Sequence, residues 1–139
     1  ILKADMGVIY LKSRRYDKAK ELLQETRRTQ RNNGFANFYL AQVFEKTGKL
    51  QEASDLYEEM LFMMPDYSKL YYQLANVKAQ LGNQGEGFLY YCLYFWNEGE
   101  MMSAKYHFTK SVALLSQDNP KKAAAEKMLQ KIGKLEKEK

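Results

Sequence analysis

The chain has 139 residues, of which 45% are hydrophobic and 28% charged, and its formal net charge is +5. This composition is too apolar for an intrinsically disordered chain, and the length suits one ordinary domain. The single cysteine and single histidine exclude an internal disulfide framework, a multi-cysteine zinc site and the paired histidines of an HExxH motif within the chain.

Apolar periodicity predicts eight helices and no strand. The prolines, at positions 65 and 120, lie between apolar segments, which favours helices over a sandwich or barrel. Asn119 followed by Pro120 is a strong helix start, so the last segment predicts a capping helix with a basic outer face. The helices are expected near residues 1–13, 16–31, 34–47, 50–63, 67–81, 85–98, 101–116 and 119–137.

Segments that lie 34 residues apart share a pattern. Residues 48–53 align with 14–19, and each segment ends in an alanine that is followed four positions later by a bulky residue, Leu23 or Tyr57. Small residues let helices approach closely and bulky ones fill the space opposite. The expected small positions are Gly7, Ala19, Ala41, Ala53 and Ala75. Gly48, Gly82 and Gly99 suit the left-handed residue that ends a helix, and Arg14 stands where the first such glycine is expected, so a strained turn is predicted there.

The register changes after Gly82. The next turn motif, at residues 98–104, comes half a repeat later, so residues 85–98 would serve both as the second helix of one repeat and as the first helix of the next. Ala104, Phe108 and Cys92 then take the alanine, bulky and small places. The run from Phe88 to Trp96 is apolar all round, so we expect it to be covered on most sides. Its nine residues are too few for a membrane span, which needs about 20.

This pattern resembles the tetratricopeptide repeat (TPR). The resemblance implies an all-α helix-turn-helix solenoid of about eight helices, with a shared helix and a C-terminal capping helix. It implies a single domain over residues 1–139, with repeats near 1–33, 34–67, 68–98 and 85–118 and a cap at 119–137. It also implies a non-catalytic module that binds a protein or peptide in a concave groove.

A narrower resemblance rests on the unit at residues 16–23, the repeat that ends in Pro65, the fused stretch 82–115 and the charged last helix. Together these features are similar to the C-terminal TPR domain of BepA-type bacterial envelope zinc metalloproteases. The resemblance implies a substrate- or partner-recruiting domain in the periplasm, preceded by a zincin domain. No zinc ligand or catalytic residue of that family matches a position here, so we expect this chain to be no enzyme and to hold no cofactor. Because the sequence opens on Ile1 without a signal segment, we expect it to be part of a longer protein.

The resemblance also supplies candidate groove residues on the first helices of the repeats. Aromatic rings offer contact area and amides can bond a peptide backbone, although these rings could instead pack against the next helix. Ala4 and Val8 stand where chaperone-tail-binding TPR domains carry a clamp for a terminal carboxylate, so that mode is not expected. The candidates are Phe35, Phe38, Tyr39, Gln42, Lys69, Tyr72, Gln73, Asn76, Leu89, Tyr90, Leu93 and Trp96.

Other chemically suggestive residues have simpler interpretations. Cys92 lies in an apolar run and is expected to be a buried core residue, and His107 is expected to be structural or at the surface. Asp55, Glu58 and Glu59 are expected to form a solvated helix face. Among the methionines, Met60 takes a core position, while others could form an adaptable contact surface.

Two alternatives to a recruiting domain stay open. One is a stand-alone cytoplasmic TPR adaptor. The other is a binder of nucleic acid or an anionic surface, because residues 1–33 hold nine Lys/Arg against four Asp/Glu and residues 119–139 hold seven against three. We expect a protein or peptide partner, and neither a small-molecule substrate, nor nucleic acid, nor membrane insertion. The sequence leaves the oligomeric state open.

Overall fold

The computed structural model describes residues 3–138, which form eight α-helices and no strand. The prediction of an all-α fold is confirmed, and the described helix ends differ from the predicted ones by at most two residues. The first two positions of the predicted first helix lie outside the described residues. The helices are α1 (Lys3–Lys12), α2 (Tyr16–Thr29), α3 (Gly34–Lys46), α4 (Leu50–Met63), α5 (Ser68–Gln80), α6 (Gln84–Asn97), α7 (Met101–Leu114) and α8 (Lys121–Lys137).

The predicted left-handed residues separate several of these helices. Gly48, Gly82 and Gly99 have φ angles of 78°, 86° and 79°, and Arg14 takes the corresponding place between α1 and α2 with a φ of 62°. A side chain at such a φ meets its own backbone, which costs about 1–2 kcal/mol. The first turn therefore has the same geometry as the others, at the expense of local strain.

The start of α8 also follows its sequence signal. Pro120 has helical angles (φ −61°, ψ −22°), and the Asn119 side chain accepts a hydrogen bond from the Lys121 backbone N–H at 2.9 Å. Asn119 therefore satisfies one of the unpaired N–H groups at the helix start, as a capping residue does.

The chain divides into two compact units, Ile1–Pro65 and Asp66–Lys139. The grouping of all four repeats into a single domain stays a prediction. In the first unit α1 packs against α2 and α3, α2 against α3, and α3 against α4. Ala4 and Val8 of α1 are buried, so the positions of the carboxylate clamp belong to the core of this unit.

In the first unit, ion pairs connect α2 and the loop that follows it to α4. Arg27 lies 2.8 Å and Arg31 3.8 Å from the carboxylate of Glu59. Glu59 was expected on a solvated acidic face; it keeps part of its surface in contact with solvent but is also paired with two arginines from outside α4. Within the described residues, no group of three or more His, Cys, Asp or Glu side chains could hold a metal ion.

In the second unit α6 packs against both α5 and α7, and α8 packs against α7. The half-repeat spacing predicts such a shared helix. The expectation that α6 would be covered on most sides needs correction, because six of the nine residues from Phe88 to Trp96 are only partly buried. One buried cluster of this unit comes from α6, α7, α8 and the residue that follows α7, and contains Leu89, Cys92, Ala104, Phe108, Leu115, Ala125 and Ile132. On α5, the side chains of Leu70, Leu74, Ala75 and Val77 are fully buried as well.

A partly buried carboxylate ties three segments of the second unit together. Glu86 of α6 lies 3.0 Å from Lys78 Nζ of α5 and 3.2 Å from Lys121 Nζ at the start of α8, and it accepts a hydrogen bond from Asn119. Burial alone would raise the pKa of Glu86. The hydrogen bonds from Lys78 and Asn119 and the two lysine charges outweigh burial and hold that pKa below its ordinary value of 4.5.

We expect Arg14→Gly to stabilise the protein by up to about 1 kcal/mol, because glycine adopts a positive φ without the steric cost. Gly48→Ala, at a φ of 78° with no atom near its added Cβ, is the matched opposite change and should destabilise it by a similar amount. Urea unfolding of both variants measures the effect. A loss of stability in Arg14→Gly would show that contacts of the arginine outweigh the strain.

We expect Glu86→Gln to lower the free energy of unfolding by about 2 kcal/mol at neutral pH, because it weakens the charged contacts to Lys78, which is buried, and to the partly buried Asn119 and Lys121. The folded-state pKa of Glu86 is depressed, so its contribution is present above pH 4.5 and is lost as the pH falls through the folded-state value. The difference between wild type and variant should therefore shrink on acidification. Glu126→Gln, at an exposed position of α8, is the control, and an equal effect of both changes would contradict the role of Glu86.

Candidate functional site

The predicted groove residues of α3 divide between surface and core. Phe35 is 46% exposed and Tyr39 is half-buried, with the two rings edge-to-face at 4.8 Å. Gln42 is half-buried. Phe38 is buried, and its ring centroid lies 5.9 Å from that of Tyr57. Phe38 therefore contributes to the core and is unsuited to contact a partner.

The predicted residues of α5 and α6 divide in the same way. On α5, Tyr72 is 42% exposed, Lys69 is exposed, and Gln73 and Asn76 are half-buried. On α6, Leu89 and Tyr90 are buried, whereas Leu93 and Trp96 are partly buried against the core of the second unit. Lys121 Nζ lies 5.7 Å from the centre of the Tyr90 ring. Tyr90 and Leu89 therefore support the fold, as Phe38 does in the first unit.

The second unit instead presents a continuous row of rings across three helices, which we call the aromatic strip. Tyr72 of α5 contacts Tyr91 and Tyr94 of α6, and His107 of α7 contacts rings on both sides of it. Neighbouring ring centroids lie 4.8–5.9 Å apart, which is the range of favourable aromatic pairs. The strip consists of Tyr72, Phe88, Tyr91, Tyr94, Phe95, Tyr106 and His107. Tyr72 and Tyr106 are exposed, and the other five are half-buried.

His107 is fixed at the centre of the strip. Its ring stacks on Phe95 at 4.8 Å with an interplanar angle of 27°, and its Nδ1 lies 2.7 Å from the backbone carbonyl of Ser103. A carbonyl only accepts hydrogen bonds, so Nδ1 carries the proton and donates it. The histidine is thus held in one orientation by its own helix, in agreement with the structural role expected from the sequence.

Asn76 connects α5 to the strip, because its side-chain oxygen accepts a hydrogen bond from the hydroxyl of Tyr91. Burial, together with the neighbouring Tyr72, raises the pKa of Tyr91. The Tyr91 hydroxyl therefore stays protonated and remains a donor at neutral pH. None of the seven strip residues carries a formal charge when His107 is neutral, so the surface is apolar with polar hydroxyl edges.

Sequence reasoning missed five of the seven strip residues, all on α6 and α7, as contact candidates. It described a sixth, His107, as structural or at the surface. On α6 it selected Leu89, Tyr90, Leu93 and Trp96. Each of these is the sequence neighbour of a strip residue, namely Phe88, Tyr91, Tyr94 or Phe95. One residue corresponds to about 100° around a helix. The sequence held no signal that could have chosen between these faces, since Phe88, Tyr91 and Phe95 have helical spacing but Leu89, Leu93 and Trp96 have it too.

Cys92 of α6 packs into the core of the second unit. Its side chain is fully buried, and burial raises the pKa of the thiol to about 12. The expectation of a buried core cysteine is confirmed. A thiol with so high a pKa forms almost no thiolate at neutral pH, which makes it a poor nucleophile.

None of the helices in the described part of the chain is both long and apolar enough to cross a membrane.

Comparisons with known proteins identify the fold. No protein-family model matches the chain, and no curated protein matches its sequence. Among solved structures, MamA matches with a TM-score of 0.69 and 16% identity, over 98% of this chain and 77% of that one. The type III secretion translocator chaperone SycD of Yersinia enterocolitica matches with a TM-score of 0.55 and 16% identity, over 99% and 84%.

A third structure, a thermophilic TPR protein of Thermus thermophilus named TTC0263, matches with a TM-score of 0.53 and 19% identity, over 94% of this chain and 79% of that one. Identities this low establish similarity of fold alone. The fold of this chain is therefore all-α and TPR-like, as its 34-residue pattern predicts.

We expect Cys92 to react with a thiol reagent only when the second unit opens, because its side chain is buried and its thiol is protonated at neutral pH. Labelling followed by mass spectrometry, in buffer and in denaturant, measures this. The denatured sample should label fully within the time in which the native sample stays unmodified. Equal labelling rates in the two samples would show that α6 is not packed as described.

Proposed function

We propose that this chain is a protein-interaction module that binds a segment of a partner protein on the aromatic strip of its second unit. The observation that carries the proposal is the strip itself, in which seven neighbouring rings from three helices keep part of their surface in contact with solvent. A contiguous apolar surface that remains in contact with solvent is typical of a binding site. Phe35, Tyr39 and Gln42 of the first unit remain a second candidate surface.

The chemistry of the strip suits a protein segment. Tyrosine and phenylalanine rings offer a large contact area at little cost in side-chain entropy, and tyrosine hydroxyls can bond a polypeptide backbone. Gln73 and Asn76, half-buried on the same helix as Tyr72, add amide groups. The strip is open and crosses three helices, which favours an elongated partner over a small molecule.

The proposal includes no catalytic step. His107 uses Nδ1 to bond the Ser103 carbonyl, and its ring is surrounded by aromatic neighbours. A general base needs a reacting group within hydrogen-bond reach and is commonly oriented by a carboxylate. One structural neighbour, SycD, is a translocator chaperone of type III secretion. A protein partner for the present chain is in keeping with that neighbour.

A finer proposal concerns the biological setting. We propose that the chain is the recruiting domain of an envelope zinc metalloprotease, supported by the resemblance carried by residues 16–23, the repeat ending in Pro65, the fused stretch 82–115 and the last helix. The test is the parent reading frame. An HExxH motif and a signal peptide upstream of Ile1 would support this setting. A reading frame with neither would leave a stand-alone adaptor, and the proposed binding surface would be unaffected.

We expect Tyr72→Ala to weaken partner binding by about 1–3 kcal/mol, because exposed aromatic side chains at interfaces typically contribute that much. The measurement is a calorimetric titration of wild type and variant against a partner captured with the wild-type chain. Binding should depend weakly on salt, since the strip holds few charges. Circular dichroism should show that both proteins are equally folded.

Phe62→Ala is the matched control, because Phe62 is a 91% exposed ring in the other unit. Equal losses for Phe62→Ala and Tyr72→Ala, or no loss for either, would contradict the proposal. Neutralising Lys127 and Lys131 of α8 tests the nucleic-acid or anionic-surface alternative. Binding that disappears in that variant and falls steeply with salt would move the site to α8.

A further inference from the structure

A second apolar surface lies in a groove between α7 and α8, with a volume of about 810 Å³. Ile132 is buried at its floor and Met101 is half-buried. Its remaining apolar walls are exposed, since Met102 is 89% and Leu135 is 38% accessible to solvent. Tyr106 of α7, which is also a member of the aromatic strip, lines the groove as well. The groove is therefore large enough to take several bulky side chains.

The charges at the rims of the groove are arranged by sign. The α7 side carries Lys105 and Lys110, and the α8 side carries Glu136 and Glu138. Lys105 and Glu136 form an exposed ion pair at 2.6 Å that joins the two helices, and Lys110 Nζ lies 5.7 Å from the centre of the Tyr106 ring. Lys105 and Glu136 offset each other in this pair, so an occupant meets Lys110 on the α7 side and Glu138 at the end of α8, and its own charged side chains can also exchange partners with the exposed pair.

We propose that this groove binds an amphipathic α-helix of a partner protein. The partner helix would insert apolar side chains spaced i, i+3 or i+4, and i+7 between α7 and α8. Its acidic residues would lie along the lysines of α7 and its basic residues along the glutamates of α8. The two rims thereby select both the partner and the direction in which its helix lies.

A helix fits this site better than an extended segment. The described part of the chain offers no strand whose edge could bond an extended backbone, whereas a helix satisfies its own backbone groups. Two packed helices leave a furrow that accepts the ridge of side chains of a third. Met101 and Met102 adapt their flexible side chains to the partner.

The test is a selection from a displayed library of random peptides 14 residues long, the length of α7, on the immobilised full chain. We expect enriched peptides to have apolar residues at helical spacing, with acidic residues on one flank and basic residues on the other. Synthetic copies should lose affinity at least about tenfold against Met102→Glu or Leu135→Glu, because each change places a charge against apolar side chains. Met102 is so exposed that its variant should fold normally.

Three further variants make the result specific. Lys105→Glu combined with Lys110→Glu should reject the selected peptides and accept copies whose acidic flank is changed to lysine. Phe62→Glu in the first unit and Tyr72→Ala in the aromatic strip should bind like wild type, which separates this groove from the strip. Failure to enrich any peptide, peptides without helical spacing, or equal binding by Met102→Glu would overturn the proposal. So would self-association of the wild type that Met102→Glu abolishes, because a second copy would then be the occupant.

Discussion

Close approach of helices at small residues is the constraint on which the rest of this structure depends. In the first unit, a Cβ atom added to Gly7 would lie 2.7 Å from Leu23, closer than atoms can pack. In the second, a Cβ on Gly87 of α6 would lie 3.3 Å from the Ala75 carbonyl of α5. Leu23, which fills the space at Gly7, lies four residues beyond the buried Ala19, and Tyr57 and Phe108 lie four residues beyond the buried Ala53 and Ala104. The three large residues Leu23, Tyr57 and Phe108 are fully buried in these places.

The aromatic strip is a consequence of this packing on α6. That helix lies against α5 through Gly87 and against α7 through Gly85, whose carbonyl accepts a hydrogen bond from Ser111 at 2.8 Å. Cys92 and Leu89 fill the core behind it. A helix that uses its small residues for two neighbours must place its large ones elsewhere. Phe88, Tyr91 and Phe95 therefore gather where α5 and α7 contribute further rings, and a packing requirement yields a surface suited to binding.

The two surfaces of the second unit differ in the property that selects a partner. The aromatic strip holds uncharged rings with hydroxyl edges, so contact area and hydrogen bonds would dominate recognition there. The α7–α8 groove combines an apolar floor with rims of opposite charge, so electrostatic complementarity would fix orientation and specificity. The partly buried pairing of Glu86 with Lys78 and Lys121 belongs to neither surface and stabilises the unit that carries both.

The sequence by itself determined the helices, their turns and the residues at which they approach one another. Arg14 and the three left-handed glycines, the capping Asn119 and the buried alanines were all predictable, because each depends on local geometry or on a spacing that repeats along the chain. Only the tertiary structure decided which face of each helix remains exposed. Phe38 and Tyr90 became core residues while Tyr91 and Tyr94 reached the surface, although all four are aromatic. One residue turns a helix by about 100°, and a run that is apolar all round carries no signal for its rotation, so contacts with neighbouring helices set that rotation.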